Sequence, residues 1–295
     1  FLSGNYAHSA KPDSRAVGPD GLKKSSPNHS LTYVNVQVFS SLHLCREHLN
    51  LYMMNLTHNT ILITGGTSGI GLILGKTLLD RGNTVILLGR NKNKLAEAEK
   101  AGFHTISCDL NSQEDIENAA LQIHNHFPNL NMLFNNAGVQ YNYDFTENVI
   151  PLDKITREIN TNITGQLILT QLLIPVLSNA EKAFIINTTS GLGAFPKNDG
   201  IVYSASKAAM RSFTTGLRYR LKDSPIRVLE FIPPVTDTEM TEGRSEAKMA
   251  PEALVAQIIP QLEKERKILT IPKMRMFLWI AFLFPSLAHK ILSKS

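Results

Sequence analysis

A tyrosine and a lysine lie four residues apart in the segment 201-IVYSASKAAMRSF-213. If the segment is helical, residues i and i+4 project from one face, so Tyr203 and Lys207 can face a cleft together. A nearby ammonium favours the phenolate of tyrosine, whose pKa of roughly 10 otherwise makes it a poor base near neutral pH. The pair is therefore a candidate for proton transfer. The alternative is two amphipathic side chains lying along a helix surface.

A glycine-rich turn is the second feature of the sequence that could form part of a functional site. The apolar run 60-TILIT-64 leads into 64-TGGTSGIG-71, and a segment with helical spacing follows. Gly65, Gly69 and Gly71 permit a tight turn and let backbone approach a pyrophosphate, while the helix N-terminus offers unpaired N–H groups. A structural turn is the alternative, but the order of strand, turn and helix favours a dinucleotide site.

The end of the second predicted strand indicates which dinucleotide binds. The segment 87-LLGRN-91 lies about twenty residues beyond the turn, where the adenosine ribose is expected. An acidic residue there would favour NAD, whereas Arg90 suits a 2′-phosphate. We therefore predict NADP as the cofactor and NAD as the less favoured choice. An exposed loop arginine without a ligand is the alternative.

A sheet must position these residues, and the rest of the chain predicts one. Short apolar runs alternate with helical patterns, which indicates βαβ units, and runs apolar on both faces fit strands covered on both sides. We predict a single α/β domain with a doubly wound, Rossmann-type parallel sheet of about seven strands. The predicted strands are 60-TILIT-64, 84-TVILLG-89, 103-FHTISC-108, 131-NMLFN-135, 183-AFIIN-187, 226-IRVLEFI-232 and 268-ILTI-271. Loops after successive strands then share one edge of the sheet, where ligands bind.

Composition narrows the class of protein. The 295 residues are 43% hydrophobic, enough for one large core, and the net charge of +5 comes from Lys and Arg spread along the chain. Such a spread argues against a nucleic-acid groove. Cys45 and Cys108 lack partners at metal-ligand spacing, so neither a disulfide framework nor a metal site is predicted. A reducing, cytoplasmic compartment is expected.

The two ends of the chain differ from its centre. Residues 1–55 contain scattered Pro, Gly, Ser and Asn that interrupt any periodicity, and we expect a disordered or non-native leader there. The dinucleotide-binding catalytic domain is expected over residues 56–275. Residues 276–295 form an apolar tail that Pro285 makes too short to span a bilayer. We predict a C-terminal helix packed on the core or over the substrate cleft; its basic flanks make an interfacial membrane helix the alternative.

Several ordered motifs resemble one known family. Besides the glycine turn, the chain contains 135-NNAG-138 and 203-YSASK-207, with Ser190 thirteen residues before the tyrosine. In this order and spacing, from about residue 59 to residue 275, they resemble the short-chain dehydrogenases/reductases. The stretches 188-TTSGLGAFP-196 and 229-LEFIPPVTDTEM-240 resemble the branch of oxidoreductases associated with teichoic-acid operons.

This resemblance implies an activity and an assembly. The family transfers a hydride reversibly between a nicotinamide cofactor and a small carbonyl or alcohol substrate, and it forms homodimers or homotetramers. Substrate contacts are expected from residues 191–199, 141–148 and 239–249. Two other interpretations stay open: a cofactor-binding regulatory protein without turnover, and a membrane-surface reductase of lipid-like carbonyls that uses the C-terminal tail.

The resemblance also implies catalytic roles. Tyr203 would pass the proton, Ser190 would hydrogen-bond the reacting oxygen, and Lys207 would hold the nicotinamide ribose. Asn162 would hold a water of the proton relay; Asn160 is a near competitor, but the glycine three residues after Asn162 favours the latter.

Cofactor contacts are implied at the glycine turn and after the second, third, fourth and sixth strands. They are Gly65, Thr67, Ser68, Gly69, Ile70, Gly71, Arg90, Asp109, Leu110, Asn136, Ala137, Gly138, Tyr203, Lys207, Val235 and Thr238. For Asp109, a helix N-cap is an alternative or additional role.

Two positions depart from the family pattern. Pro233-Pro234 follows the sixth strand where Pro-Gly is usual, so the loop lacks a flexible position and one N–H. Ser68 stands where many NADP-using relatives carry a second basic residue, which leaves Arg90 as the main argument for NADP.

Overall fold

Seven parallel strands form one sheet in the order β3-β2-β1-β4-β5-β6-β7. The computed structural model describes residues 54–142, 145–146, 149 and 151–286. The strands are β1 (Thr60–Thr64), β2 (Thr84–Gly89), β3 (His104–Ser107), β4 (Leu130–Asn135), β5 (Ala183–Thr188), β6 (Ile226–Phe231) and β7 (Ile268–Leu269). Strand order reverses between β1 and β4, which creates the crevice where ligands bind in such sheets. The predicted doubly wound, Rossmann-type sheet is confirmed.

Helices cover both faces of the sheet. They are α1 (Gly69–Leu79), α2 (Lys92–Lys100), α3 (Gln113–His126), α4 (Leu152–Ile159), α5 (Gly165–Leu177), α6 (Ile201–Arg220), α7 (Pro251–Glu263) and α8 (Pro272–Leu283). Buried side chains of α1, α2 and α7 join one hydrophobic cluster, and those of α3, α5 and α6 join the other. The sheet therefore lies between two apolar layers.

The strand sequences explain this layering. Successive residues of a strand point to opposite faces, so an uninterrupted apolar run supplies both layers at once. In β1, Ile61 and Ile63 pack in the cluster with α1 and α7, whereas Leu62 packs in the cluster with α3 and α5. All three side chains are fully buried. A single polar substitution here would place an unpaired group in the core.

One predicted helix boundary differs from the structure. Helix α3 begins after Ser112, whose Oγ accepts a hydrogen bond from the backbone N–H of Asp115 at 3.1 Å. Asp109 therefore does not cap this helix, and the alternative role suggested for it is wrong. Ser112 is the N-cap residue because its side chain lies within reach of the first free N–H groups of the helix.

The ends of the chain are described only in part. The leader predicted for residues 1–55 falls mostly on residues 1–53, which lie outside the described residues. Met54 is buried in the core, and its N–H donates to the carbonyl of Glu263 at 2.8 Å. At the other end, α8 accounts for the first part of the predicted tail, and residues 287–295 lie outside the described range. No helix in the described part of the chain has the length and apolar character needed to cross a membrane.

Candidate active site

A cleft of about 810 Å³ lies along the carboxyl ends of the strands. All predicted cofactor and catalytic residues line it except Gly71 and Asn162, although the predictions come from loops far apart in sequence. The predicted residues that line it are Gly65, Thr67, Ser68, Gly69, Ile70, Arg90, Asp109, Leu110, Asn136, Ala137, Gly138, Ser190, Tyr203, Lys207, Val235 and Thr238. Their roles remain predictions, but the structure brings them together.

The glycine turn is built by close backbone approach. Gly65 has a φ of +62°, and a Cβ there would lie 2.8 Å from the Cα of Ala137. Gly71 lies behind the cleft: a Cβ would be 2.4 Å from the carbonyl oxygen of Gly65 and 2.6 Å from Nδ2 of Asn136. Only glycine fits either position without displacing backbone. Gly71 therefore packs the helix onto the turn rather than touching a ligand.

Thr64 ties the NNAG turn to the end of β1. Its Oγ accepts from the backbone N–H groups of Asn136 at 2.9 Å and Ala137 at 3.0 Å. Next to it, the buried amide of Asn135 donates to Oδ1 of Asn187 at 2.8 Å, which links β4 to β5. These bonds fix the floor of the cleft, because buried polar groups that lose a partner are costly.

The predicted adenosine end of the cleft contains two basic residues, Arg90 and Lys94. Arg90 is exposed at the rim and has no carboxylate within 4 Å among the described residues. Lys94, four residues later on α2, also lines the cleft and forms an ion pair with Glu239. Sequence reasoning missed Lys94, although its i+4 spacing from Arg90 at the start of a helix was a usable signal.

Asp109 is held in its charged form beside this end. Burial works to raise its pKa, but hydrogen bonds from the Asn111 side chain and N–H, with the charges of Arg157 and Arg90, outweigh burial and lower the pKa. Arg157 lies 3.2 Å from the carboxylate. An acceptor with a lowered pKa suits hydrogen bonding to an adenine or ribose donor at neutral pH.

Tyr203 and Lys207 lie in the first turns of α6 and face the cleft together. Both side chains are buried, and the Lys207 Nζ lies 5.6 Å from the centre of the Tyr203 ring. The ammonium also donates to the carbonyl oxygen of Thr188 at 2.9 Å. Ser190 begins the short 3₁₀ helix Gly191–Gly193 and also lines the cleft. The helix geometry expected for the pair is therefore present.

Burial sets the protonation of this pair. It raises the pKa of Tyr203 to about 12; a hydrogen bond with Ser190 and the charge of Arg244 act to lower it, and Glu158 acts to raise it. Burial also lowers the pKa of Lys207 to about 8. The phenolate that the sequence led us to expect beside Lys207 is thus not favoured, because loss of water around the phenol raises its pKa. Tyr203 is a protonated phenol at neutral pH, which suits it to donate a proton.

Asn162 lies behind the wall of the cleft, in a π-helical turn (Asn160–Thr164) between α4 and α5. Its Oδ1 accepts from the N–H of Val139 at 2.8 Å, and its Nδ2 donates to the Val139 carbonyl at 2.8 Å and to Oγ of Ser206 at 3.1 Å. This amide therefore joins the loop after β4 to α6. Its role in a water relay remains a prediction.

The loop after β6 reaches the glycine turn despite its two prolines. The N–H of Met249 donates to the Val235 carbonyl at 2.9 Å, and the N–H of Asp237 donates back to Met249 at 2.9 Å. Beyond this bridge, Thr238 lies against the glycine turn, since a Cβ on Gly69 would be 2.9 Å from its Cγ2. The loop is thus held by backbone hydrogen bonds in which neither proline takes part.

Side chains from three segments build the predicted substrate end. Arg244 and Lys197 come from predicted substrate segments, whereas Met274 and Phe277 come from the inner side of α8. Lys197 is paired with Glu246 at 2.9 Å, but Arg244 has no carboxylate within 4 Å in the described ranges. Part of the predicted substrate segment 141–148, namely residues 143–144 and 147–148, lies outside the described residues. The sequence left open whether the C-terminal helix packs on the core or covers the cleft, and it did not identify Met274 or Phe277.

Two other chemistries find no support in the described residues. Cys108 lines the cleft, but burial, then the charges of Asp115 and Asp109, raise the pKa of its thiol to about 12, so it is not a thiolate nucleophile at neutral pH. No group of three or more His, Cys, Asp or Glu residues in the described ranges is arranged to hold a metal ion.

A cleft that contains a glycine-rich turn and a buried tyrosine–lysine pair is typical of dinucleotide-dependent oxidoreductases. The sequence profile of the short chain dehydrogenase family matches residues 59–249, and the chain belongs to that family. It is therefore an oxidoreductase that acts on CH–OH groups with a nicotinamide cofactor. The predicted family is confirmed.

Relatives and solved structures agree with this membership. The uncharacterized oxidoreductase DltE of Bacillus subtilis (strain 168) is 40% identical over 191 residues, which cover 64% of this chain and 76% of DltE. Serine 3-dehydrogenase of Agrobacterium fabrum (strain C58 / ATCC 33970) is 35% identical over 189 residues, covering 63% of this chain and 75% of that enzyme. The similarity to DltE also confirms the predicted branch.

A short chain dehydrogenase from Burkholderia cenocepacia J2315, solved in complex with NADP, shares the fold. It is 24% identical with a TM-score of 0.73, and the match covers 81% of this chain and 99% of that one. A short chain dehydrogenase/reductase from Burkholderia phymatum, solved with NAD, is 19% identical with a TM-score of 0.68 over 78% and 96% of the two chains. The fold thus accommodates either dinucleotide.

Proposed function

We propose that this chain transfers a hydride reversibly between NADP and a small carbonyl or alcohol substrate, with Tyr203 as the proton donor during reduction. One observation carries the proposal: Tyr203 and Lys207 are buried side by side in the same cleft that contains the glycine turn. Cofactor turn and proton donor therefore share one enclosed space, as a hydride transfer coupled to protonation requires.

The cleft fits NADP in shape and charge. The absence of side chains at Gly65 and Gly69 leaves the turn open, and the start of α1 presents N–H groups to a pyrophosphate. Arg90 lines the predicted adenosine end without a carboxylate partner and would hold a 2′-phosphate. Lys94 lies beside it and would join that contact by exchanging Glu239 for the phosphate. When bound, NADPH supplies the hydride.

The residues of the chain supply the proton and the orientation. Ser190 and the phenol of Tyr203 would hydrogen-bond the carbonyl oxygen of the substrate, which polarises the C=O bond. As the carbon accepts the hydride, the oxygen takes the phenol proton and the carbonyl becomes a hydroxyl. The resulting phenolate lies beside the Lys207 ammonium, whose charge stabilises it. Oxidation of an alcohol follows the same path in reverse.

Arg244 indicates a substrate class. Its guanidinium lines the substrate end close enough to Tyr203 to affect the phenol pKa, and no described carboxylate lies within 4 Å of it. An anionic group near the reacting carbonyl of the substrate would form an ion pair with this guanidinium. Serine, the substrate in the name of the Agrobacterium fabrum relative, carries such a carboxylate. We therefore propose small carbonyl compounds or alcohols with an anionic group.

Purified full-length chain should oxidise NADPH in the presence of a panel of anionic and neutral carbonyl compounds. We expect turnover with at least one member, faster with NADPH than with NADH. Titratable NADPH binding without turnover of any member would instead support the regulatory protein without activity.

A membrane-surface reductase of lipid-like carbonyls is the second candidate. Met274 and Phe277 present apolar surface to the substrate end, while the opposite side of the same helix is exposed and apolar. Activity on a long-chain aldehyde that exceeds activity on every small anionic carbonyl would favour this candidate over the first.

The family resemblance supports a proposal on assembly. We propose a homodimer or homotetramer that uses the face of α6 where Ala205, Ala208 and Ala209 are exposed, because small residues let helices approach closely. We also propose a cytoplasmic location. Sedimentation velocity of the full chain should give a mass of two or four copies; a monomer would contradict the assembly.

A further inference from the structure

We propose that the outer face of α8, together with the basic cleft beside it, docks the protein on a membrane surface through anionic phospholipid headgroups. The outer face comprises Met276, Trp279, Phe282, Leu283 and Phe284. This proposal concerns a second site and does not depend on the proposed reaction.

The outer face is apolar and mostly exposed. Trp279 is 62% exposed, Phe282 79% and Leu283 57%. Met276, Trp279 and Leu283 follow an i, i+3, i+7 spacing and so form one stripe, whereas Met274, Phe277 and Ala281 lie on the inner side against the domain. A contiguous exposed apolar stripe marks an interaction site more often than a chance arrangement.

A basic cleft of about 520 Å³ adjoins this face, between the end of α7, the residues that flank β7, and α8. Its wall combines Lys264, Arg266 and Arg275 with Met276 and Trp279, and no Asp or Glu lines it. Cations beside a tryptophan and apolar side chains match a lipid headgroup region, where phosphate oxygens lie next to acyl chains.

The cations of this cleft are not neutralised by their acidic neighbours. Glu263 pairs with Arg81 at 2.6 Å, and Glu265 pairs with Lys182. Lys264 and Arg266 have no carboxylate within 4 Å in the part of the chain that is described. Their positive charge therefore remains available for an anionic partner.

Arg275 lines the cleft, and two hydrogen bonds fix the position of its guanidinium. Its Nη2 donates to Oε1 of Gln261 at 3.3 Å and to the carbonyl of Ile268 at 3.2 Å. The amide of Gln261 is itself fixed, because it donates to the carbonyl of Thr270 at 3.0 Å. A guanidinium has five N–H donors, so donors remain for phosphate after these bonds.

Charge argues for a membrane over two protein occupants. In a symmetric contact, a second copy would bring the same cations toward each other. Residues 1–53 contain five basic residues (Lys11, Arg15, Lys23, Lys24, Arg46) and three acidic ones (Asp13, Asp20, Glu47), a net charge of +2 that would not neutralise the cleft. An anionic bilayer satisfies the cations and the apolar stripe together.

Vesicle co-sedimentation of the full chain tests the apolar stripe. We expect binding to vesicles of phosphatidylcholine mixed with phosphatidylglycerol and little binding to phosphatidylcholine alone. Leu283→Glu should weaken partitioning by roughly 30-fold, from the loss of one buried apolar side chain. Leu121→Glu on α3 is the matched control, since Leu121 is 60% exposed, and should bind like the wild type.

The basic cleft is tested by charge. Lys264→Gln/Arg266→Gln should weaken binding by about 25-fold, at about fivefold for each charge, and raised salt should do the same. Lys100→Gln/Lys222→Gln removes equal charge elsewhere and should have a much smaller effect. Phe282→Glu provides a second stripe variant should Leu283→Glu unfold.

Three results would overturn the proposal. They are no sedimentation of the wild type with anionic vesicles, equal binding by wild type and both stripe variants, and a change of oligomeric mass in the stripe variants without loss of vesicle binding, which would indicate a second copy. NADPH oxidation with a water-soluble carbonyl should be unchanged in all these variants. Failure of docking is thereby distinguished from failure of the proposed reaction.

Discussion

The two ends of the predicted active-site cleft differ in whether backbone or side chains form them. The adenosine and pyrophosphate end consists largely of backbone: glycines in close contact, N–H groups at the start of α1, and turns tied to Thr64. The predicted substrate end consists of side chains from the β6–α7 loop, residues 191–199 and α8. The topology fixes the first end, whereas the second depends on which side chains distant segments bring together.

This difference explains what the sequence revealed. The bounds of β1 and β2 agree with the predicted runs, because strands apolar on both faces leave little choice of register. The glycine turn was readable because its spacing reflects close backbone contact that only glycine allows. At the predicted substrate end, no sequence pattern identified Met274 and Phe277. An apolar residue of a helix has the same sequence pattern whether it lines a cleft or packs in a core.

Protonation was the least predictable property. The spacing of Tyr203 and Lys207 indicated that an ammonium would favour the phenolate, but the structure shows that burial raises the pKa of the phenol instead. Burial depends on every element packed around α6, so no local pattern reveals it. Likewise, Ser112 rather than Asp109 caps α3, and only the position of the free N–H groups decides between them.

The largest effect is expected where the two ends meet. Tyr203→Phe removes the proton donor and should lower kcat for carbonyl reduction by about 10³-fold, while the Kd for NADPH stays within a few-fold of wild type. Steady-state kinetics and equilibrium titration measure the two quantities. Tyr219→Phe, at an exposed tyrosine near the end of the same helix, is the control. Retention of most activity in Tyr203→Phe would refute its role as donor.

A change at the adenosine end should alter cofactor choice alone. Arg90→Asp should raise the KM for NADPH by roughly 10–100-fold, because a charge-assisted contact to the 2′-phosphate is lost and a repulsive charge is added. The KM for NADH should change little. Arg227→Asp, at an exposed arginine near the opposite edge of the sheet, makes the same charge change as a control. Equal effects of Arg90→Asp on both cofactors would contradict the NADP assignment.

A change at the substrate end should alter substrate choice alone. Arg244→Gln should raise the KM for an anionic carbonyl by about tenfold, the cost of one charge-assisted hydrogen bond. The KM for a neutral carbonyl and for NADPH should remain unchanged. If the KM values for neutral and anionic substrates rise equally, the guanidinium stabilises the loop and does not bind the anionic group of the substrate.

The smallest effect is expected from pH. Because the pKa of Lys207 is lowered to about 8, the free enzyme loses this ammonium as pH rises past that value, whereas Tyr203, with a pKa near 12, keeps its proton. The kcat/KM for carbonyl reduction should therefore fall to roughly half between pH 7 and pH 8 and decline further above it. A profile that stays flat to pH 10 would show that Lys207 keeps its proton or is not required.

The most direct measurement is a crystal structure of the chain with NADP and a carbonyl ligand. The account requires the 2′-phosphate beside Arg90 and Lys94, the pyrophosphate at the glycine turn, and the ligand oxygen within hydrogen-bond distance of the Tyr203 phenol. A dinucleotide bound outside this cleft, or bound within it with Tyr203 directed away from the ligand, would contradict it.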